Sequence, residues 1–215
     1  MSHNRFPIPP AEKYLGLSAT SVGCGPGGGT PMIARVALVD YRGQVVFSAY
    51  VLPTNPVTDY RTSSTGIRPE DLQPGEWSRL TWSALPWKEV QQRIAQLIRD
   101  KIIVGHTLWQ DLSVLGIRHA AVATRDVALY QPFRNALRST NHVIGLPTLM
   151  WQLMRRRVQE THVCPSELKV FVRQLENARA ALDLYRSHSD EWEATIAKGQ
   201  WPSFLPPSTF SRCYQ

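Results

Sequence analysis

The chain is poor in cysteine, with three in 215 residues, Cys24, Cys164 and Cys213. They are far apart, and no two form a Cys-x-x-Cys pair. An odd, scattered set excludes a disulfide framework and argues against a zinc site. A reducing, intracellular setting is therefore expected, nuclear rather than cytoplasmic. No run approaches the ~18 apolar residues of a membrane span. The opening residues, Met1–Pro10, are polar and proline-bearing and lack an apolar h-region. A soluble protein with no membrane partner is expected. Acidic residues are in the minority, 17 against 24 lysines and arginines, leaving a net charge of +7. That balance favours an anionic partner such as nucleic acid, and is also compatible with simple solubility or an acidic protein surface. There is no internal repeat and no coiled-coil heptad pattern.

What is present fits one α/β domain, since this length buries one sizeable core and is short for two. Residues 1–12 read as an N-terminal tail, 13–192 as the domain and 193–215 as an extension whose proline-rich end, from 202, has the character of a tail. Tyr14–Ser18, Met32–Tyr41 and Gln44–Leu52 are rich in β-branched and aromatic residues, and Arg42-Gly43 gives a tight hairpin between the last two. A long polar loop is expected around Asp59–Asp71. From Pro86 the period changes: Val90, Ile94, Leu97 and Ile98 share one helix face. Ile102–Val104 reads as a short buried strand, Leu108–Leu115 as a helix and Ala123–Leu129 as another strand. Two further helices are expected over Pro147–Arg157 and about Leu168–His188, the second split near Gln174. Three strands followed by alternating helix and strand is an α/β layout with a mixed sheet.

The first strand carries Ser18 and Thr20, two residues apart and so on one face. Glycines follow, and Gly23–Gly29 reads as a flexible hairpin loop: it lacks the Gly-Lys-Ser/Thr ending of a phosphate loop and leads into a strand. A Ser or Thr hydroxyl is a weak nucleophile without a base and a weak metal ligand without carboxylates. Read together, Tyr14-Leu-Gly-Leu-x-x-x-x-Val-Gly, Ala34-Arg-Val-Ala-Leu-Val, Val57-Thr-Asp-Tyr-Arg-Thr, Gly66-Ile-Arg-Pro-Glu-Asp-Leu, Ile103-Val-Gly-His-Thr-Leu-x-x-Asp-Leu, Arg125-Asp and Glu176-Asn-Ala-Arg-Ala-Ala-Leu-Asp-Leu-Tyr resemble, in order, the Rex-type RNA exonucleases of the DEDDh group. The resemblance runs from about Lys13 to Trp192. It implies a ribonuclease H-like exonuclease fold, a five-stranded mixed sheet flanked by helices, and, for the family, two Mg²⁺ or Mn²⁺ ions roughly 4 Å apart.

The family's first strand reads Leu-Asp-x-Glu, and this chain has Ser18 and Thr20 in those places. Asp111 matches the next family acid. Asn177 takes the position of the last aspartate, and Val172 that of the histidine base. Neutral groups cannot supply the negative charge that hard cations require, and valine cannot accept a proton. His162 precedes Glu167 by the family's spacing, but that register would discard the helix signature after Asn177. Glu176 and Asp183 point elsewhere on a helix and do not replace the missing ligand. Ser18, Thr20, Asp111, Val172 and Asn177 are therefore expected to be remnants of a metal site with no cofactor. Asp111 and His106 have ordinary capping or packing readings.

The expected function is then a catalytically inactive exonuclease-like scaffold that binds a protein partner or a second copy, with Trp77, Trp82 and Trp87 as the contact surface. The alternative is a non-catalytic RNA-binding module whose cleft is lined by Arg155, Arg156, Arg157, Arg173 and Arg179. The scaffold is favoured because the sequence shows no aromatics interleaved with those arginines. A weak metal-dependent 3′-to-5′ exonuclease is the competing class.

Overall fold

The computed structural model describes residues 9–74, 84–139, 143–159 and 169–214, with the side chains of 169–172 excepted. The β-branched runs become strands β1 (Tyr14–Cys24), β2 (Thr30–Asp40) and β3 (Val45–Tyr50), followed by the short β4 (Val57–Asp59). Helix α1 (Thr62–Thr65) and a 3₁₀ turn (Pro69–Leu72) occupy the stretch expected as a polar loop. Then come α2 (Trp87–Leu97), β5 (Ile102–Gly105), α3 (Leu108–Leu115), β6 (Thr124–Asp126), α4 (Gln131–Ala136), α5 (Leu146–Met154), α6 (Lys169–Ser187) and α7 (Ser189–Ala197). The sheet order is β3-β2-β1-β5-β6, with β4 added to the far end of β1. Strands β1, β2 and β3 are antiparallel, whereas β5 and β6 continue the sheet in parallel with β1. This is the expected mixed α/β sheet, a five-strand path with one extra short strand.

Alternation along β1 divides two cores. Tyr14, with Ala37 and Val39 of β2, faces Leu175, Ala178, Leu182 and Tyr185 of α6, backed by Met150 and Trp192. Leu15 and Leu17 face the other way, onto Val90 and Ile94 of α2 and Leu108, Leu112 and Leu115 of α3. Both layers are closed by side chains one turn apart on their helices, as the period near 3.6 requires.

Three elements differ from the sequence expectation. Strand β6 ends at Asp126 because the Asp126 carboxylate turns back to accept from the Ala128 N–H at 3.0 Å, bending the chain out of the sheet. Helix α6 runs unsplit through Gln174, whose side chain is buried and satisfied by Ser18. The C-terminal stretch is packed rather than tail-like. Its Pro202 carbonyl accepts from Gln131 N–H, Phe204 N–H donates to Leu129, and the Cys213 carbonyl accepts from His119 N–H. Phe204, Phe210 and Tyr214 then lie against Trp109 and Leu129. Among the described residues, no helix is long and apolar enough to cross a membrane.

A buried ion pair ties β6 to α7. Arg125 donates to both carboxylate oxygens of Glu193 at 2.7 and 2.9 Å, and Tyr185 donates its hydroxyl to the same group at 2.8 Å. Arg125 also reaches the carbonyls of Val122 and Thr124. Removing one partner leaves the other charge desolvated and uncompensated. Glu193→Ala is therefore expected to lower unfolding free energy by about 3–5 kcal/mol, read by urea denaturation. A loss within experimental error would refute a buried, fully paired Arg125.

Candidate active-site cleft

The cleft forms where α6 and α3 meet the middle of β1. Glycine at position 16 lets α6 come close: a Cβ there would stand 3.0 Å from the Ala178 carbonyl and 2.7 Å from Val39 Cγ2. On the other flank, Gly105 admits the start of α3, since a Cβ would meet Leu108 at 2.4 Å and the Leu17 carbonyl at 2.8 Å. β5 pairs with β1 only from Tyr14 to Gly16. Beyond that point the β1 backbone is open on this side, and the Ala19 N–H donates to Asp111 of α3.

Ser18 and Thr20 therefore lie inside an 11-residue strand rather than at its tip, just before a bulge at Thr20/Ser21. Ser18 Oγ donates to Gln174 Oε1 of α6 at 2.8 Å. Thr20 is buried directly opposite Arg35 in the β1–β2 ladder, which places both on one face. The Arg35 guanidinium is itself buried, 4.4 Å from the Tyr50 ring centroid and 3.2 Å from Ser48 Oγ. One turn after Gln174, Asn177 Oδ1 accepts from Gln159 Nε2 at 2.9 Å. Gln159 also accepts from Arg173 at 3.2 Å, and its N–H donates to Glu176 at 3.0 Å.

The structure thus brings Ser18, Thr20 and Asp111 to one stretch of β1, Asp111 through the Ala19 N–H, while Asn177 follows the Ser18 partner Gln174 by about one turn of α6 and meets Gln159. Val172 is on α6, with its side chain outside the described set. His162 and Glu167 lie outside the described residues, as do Trp77 and Trp82. Trp87 begins α2 and packs half-buried against the core, 3.4 Å from where a Gly116 Cβ would be. Asp183 is engaged by Arg156 and Arg186, away from the cleft. Sequence reasoning missed Gln174 and Gln159. The signal for Gln174 was available, a polar residue three before Asn177 and hence on its helix face. The signal for Gln159 was not, because its contact depends on how the chain leaves α5.

Two carboxylates are buried here. Desolvation pushes Asp111 well above the ordinary carboxylate range, the Ala19 N–H lowers it, and the nearby Asp126 charge raises it again. Burial takes Asp126 to about 7 against three backbone N–H donors that lower it, Leu108, Ala128 and Thr107. Those donors sit at 2.7–3.0 Å, so Asp126 serves as the N-terminal cap of α3 in place of Thr107, whose backbone is left-handed at φ 58°. Asp126 is therefore committed to the backbone. His106, in the turn before α3, donates Nε2–H to the Ile144 carbonyl at 2.8 Å and is held neutral by burial. The packing role expected for it matches this geometry.

A pair of divalent cations does not fit this donor set. Of the four positions the family uses, Asp111 alone is a carboxylate, and it is tied to Ala19 while Ser18 and Asn177 are tied to glutamines. Among the described residues, no group of three or more His, Cys, Asp or Glu side chains is placed to hold a metal ion. What Ser18, Thr20 and Asn177 present instead is hydroxyls and an amide, groups suited to phosphate oxygens.

No protein-family model matches the chain. Curated proteins do. The chain is 35% identical to RNA exonuclease 4 of Mus musculus over 194 residues, 90% of its own length and 40% of that protein's. RNA exonuclease 4 of Homo sapiens is also 35% identical, over 91% of this chain, and that of Kluyveromyces lactis is 30% identical. The chain spans 41% of the human relative and 58% of the yeast one. Among solved structures, the exonuclease-bearing module of Saccharomyces cerevisiae Pan2 superposes with a TM-score of 0.68 at 22% identity, over 93% of this chain and 31% of that one. The same module has been solved with A7 RNA. The Neurospora crassa Pan2 catalytic unit gives a TM-score of 0.65 at 22% identity, over 92% of this chain and 29% of that one. At this identity the structural likeness establishes the fold alone, a ribonuclease H-like mixed sheet flanked by helices.

These relatives correct two expectations. The reading as an inactive scaffold, and as no enzyme, is overturned by similarity at about a third identity across nine-tenths of the chain to proteins named as RNA exonucleases. Loss of particular ligands is not by itself loss of the activity. The similarity instead runs through strands, helices and loops alike.

The pH response follows from buried histidines. His106 and His119 are both lowered from the ordinary 6.5, burial outweighing the carbonyls each ring meets. The unfolded chain takes up these protons first, so their contribution is full above pH 6.5 and is lost as pH falls through the lower folded values. Asp111 and Asp126, being raised, act in the opposite sense as pH rises from the ordinary carboxylate value, so a variant comparison is needed. The stability advantage of the wild type over His106→Gln/His119→Gln should shrink between pH 7 and pH 5, measured by denaturant titration. A constant gap would show that the rings titrate alike in both states.

Proposed function

We propose that this domain acts on RNA as a weak exonuclease working from the 3′ end. The observation that carries the reading is the 35% identity to RNA exonuclease 4 over 90% of the chain. The RNA-bound form of the Pan2 module, which shares the fold, supports single-stranded RNA as the ligand class. In this reading the chain's own groups bind and orient the strand. Ser18, Thr20 and Asn177 offer neutral hydrogen-bonding groups at the cleft floor, and Arg173, Arg179 and the run Arg155–Arg157 neutralise backbone phosphates. Low turnover follows because Asp111, of the four family acid positions the one that holds a carboxylate, is buried and pushed toward its neutral form.

The test is a 5′-labelled single-stranded RNA incubated with the purified chain and added Mg²⁺ or Mn²⁺. Slow stepwise shortening from the 3′ end is expected, reduced about tenfold or more in Asp111→Asn, a loss of the size seen when a group acting in the reaction is removed. Circular dichroism confirms that the variant is folded. Absence of shortening, or shortening indifferent to Asp111→Asn, would overturn the proposal.

A further inference from the structure

The turn after α3 brings two arginines to one opening. Helix α3 is capped by Gly116, left-handed at φ 62°, and Ile117, Arg118 and His119 leave it beside the C-terminal 3₁₀ turn, Ser208–Cys213. The His119 N–H donates to the Cys213 carbonyl at 3.1 Å, and a parallel bridge pairs His119 with Tyr214. Arg118 and Arg212, each just ahead of that bridge on its own segment, therefore reach the same pocket, of about 300 Å³. The buried Leu112, Ile117 and Cys213 form its floor, and the exposed Arg118 and Arg212 its mouth. Ser113 lines it as well and bonds its hydroxyl to Cys213.

The mouth is positively charged. Among the described residues, neither Arg118 nor Arg212 has a carboxylate within ion-pair reach; the pairs that form involve Arg61, Arg125, Arg156 and Arg186. A helix C-terminus ordinarily repels an anion. Here the last carbonyls of α3 are engaged: Leu112 accepts from the Ile117 N–H, Ser113 from the Gly116 N–H, and Leu115 and Gly116 from Gln91 Nε2 at 2.9 and 3.2 Å. Burial raises the Cys213 thiol, against Arg212 and Ser113, which lower it, so the floor stays neutral.

We infer that this pocket binds a phosphate monoester carrying one ring, the class to which mononucleotides belong. Two guanidinium forks suit a dianionic phosphate, whose oxygens accept paired N–H bonds. The apolar floor gives a ring a surface to cover, which a bare anion does not use. A volume at the small end of the range for ligand pockets admits one such molecule and excludes a dinucleotide or a larger cofactor. None of the residues that define the cleft lines this pocket. The inference therefore goes beyond the exonuclease reading and does not depend on it.

Uridine monophosphate, phenyl phosphate, inorganic phosphate and uridine are titrated calorimetrically into the intact chain in EDTA. The two ring-bearing phosphates should bind about tenfold more tightly than inorganic phosphate, since ring burial adds to ion pairing, and uridine should bind weakest. Arg118→Gln/Arg212→Gln should weaken the nucleotide about tenfold or more, and Arg118→Lys/Arg212→Lys should recover part of that loss. Hydrogen exchange at the His119 amide, whose bond to Cys213 joins the two segments, should slow when the nucleotide is added to the wild type and not to the Gln pair. Nucleotide affinity indifferent to the Gln pair would place the ligand elsewhere and overturn the inference. Inorganic phosphate binding as tightly as the nucleotide would overturn it too, leaving two solvated surface arginines, as would no binding at all. RNA shortening, followed separately with Mg²⁺, keeps the readings apart: a chain that shortens RNA but ignores the probes loses this pocket alone. One that binds them through Arg118 and Arg212 without shortening RNA keeps it.

Discussion

Strand β1 is the constraint on which the cleft depends. It is the central strand of the sheet, paired with β2 along its length, with β5 at its start and with β4 at its end, and it is covered on one face by α6 and on the other by α3. Close approach of those helices requires missing side chains at Gly16 and Gly105. A methyl group at either would push a helix away by a distance comparable to a hydrogen bond's tolerance. The contacts that define the cleft, Ser18 with Gln174 and Ala19 with Asp111, would then lengthen beyond use.

The same packing decides where charge resides. Three acids near the sheet are turned inward: Asp126 caps α3, Asp111 meets β1, and Glu193 neutralises Arg125. Arg155, Arg156 and Arg157, which follow α5, and Arg179 of α6 are exposed. Each buried acid has backbone or cationic partners, which is the condition for keeping such a group inside at tolerable cost.

Much of this was legible in the sequence because local pattern and tertiary role agree. The β-branched runs and Arg42-Gly43 mark β1 to β3 and their hairpin, and the apolar spacing of Leu108, Leu112 and Leu115 marks α3. The motif order marked the fold. The C-terminal packing was not legible, since its burial comes from three aromatic anchors spaced by prolines, a pattern with no helical or strand period. Nor was the meeting of Arg118 and Arg212 at one pocket, which depends on the bond between His119 and Cys213. The activity was misread for a different reason. Four chemically decisive positions outweighed a similarity spread over the whole domain, although a site is one part of what such a domain does with its ligand.

Binding and hydrolysis place opposite demands on a cleft of this kind. Clustered carboxylates repel an approaching phosphate until cations intervene, so they favour turnover at the expense of cation-free affinity. Replacing them with a serine, a threonine and an asparagine removes that repulsion, and the hydrogen bonds to Gln174 and Gln159 hold two of the three in place. In the proposed reading such a floor keeps affinity for RNA while giving little electrostatic help to bond cleavage, and the rate falls to whatever Asp111, the carboxylate left at the family's acid positions, supports.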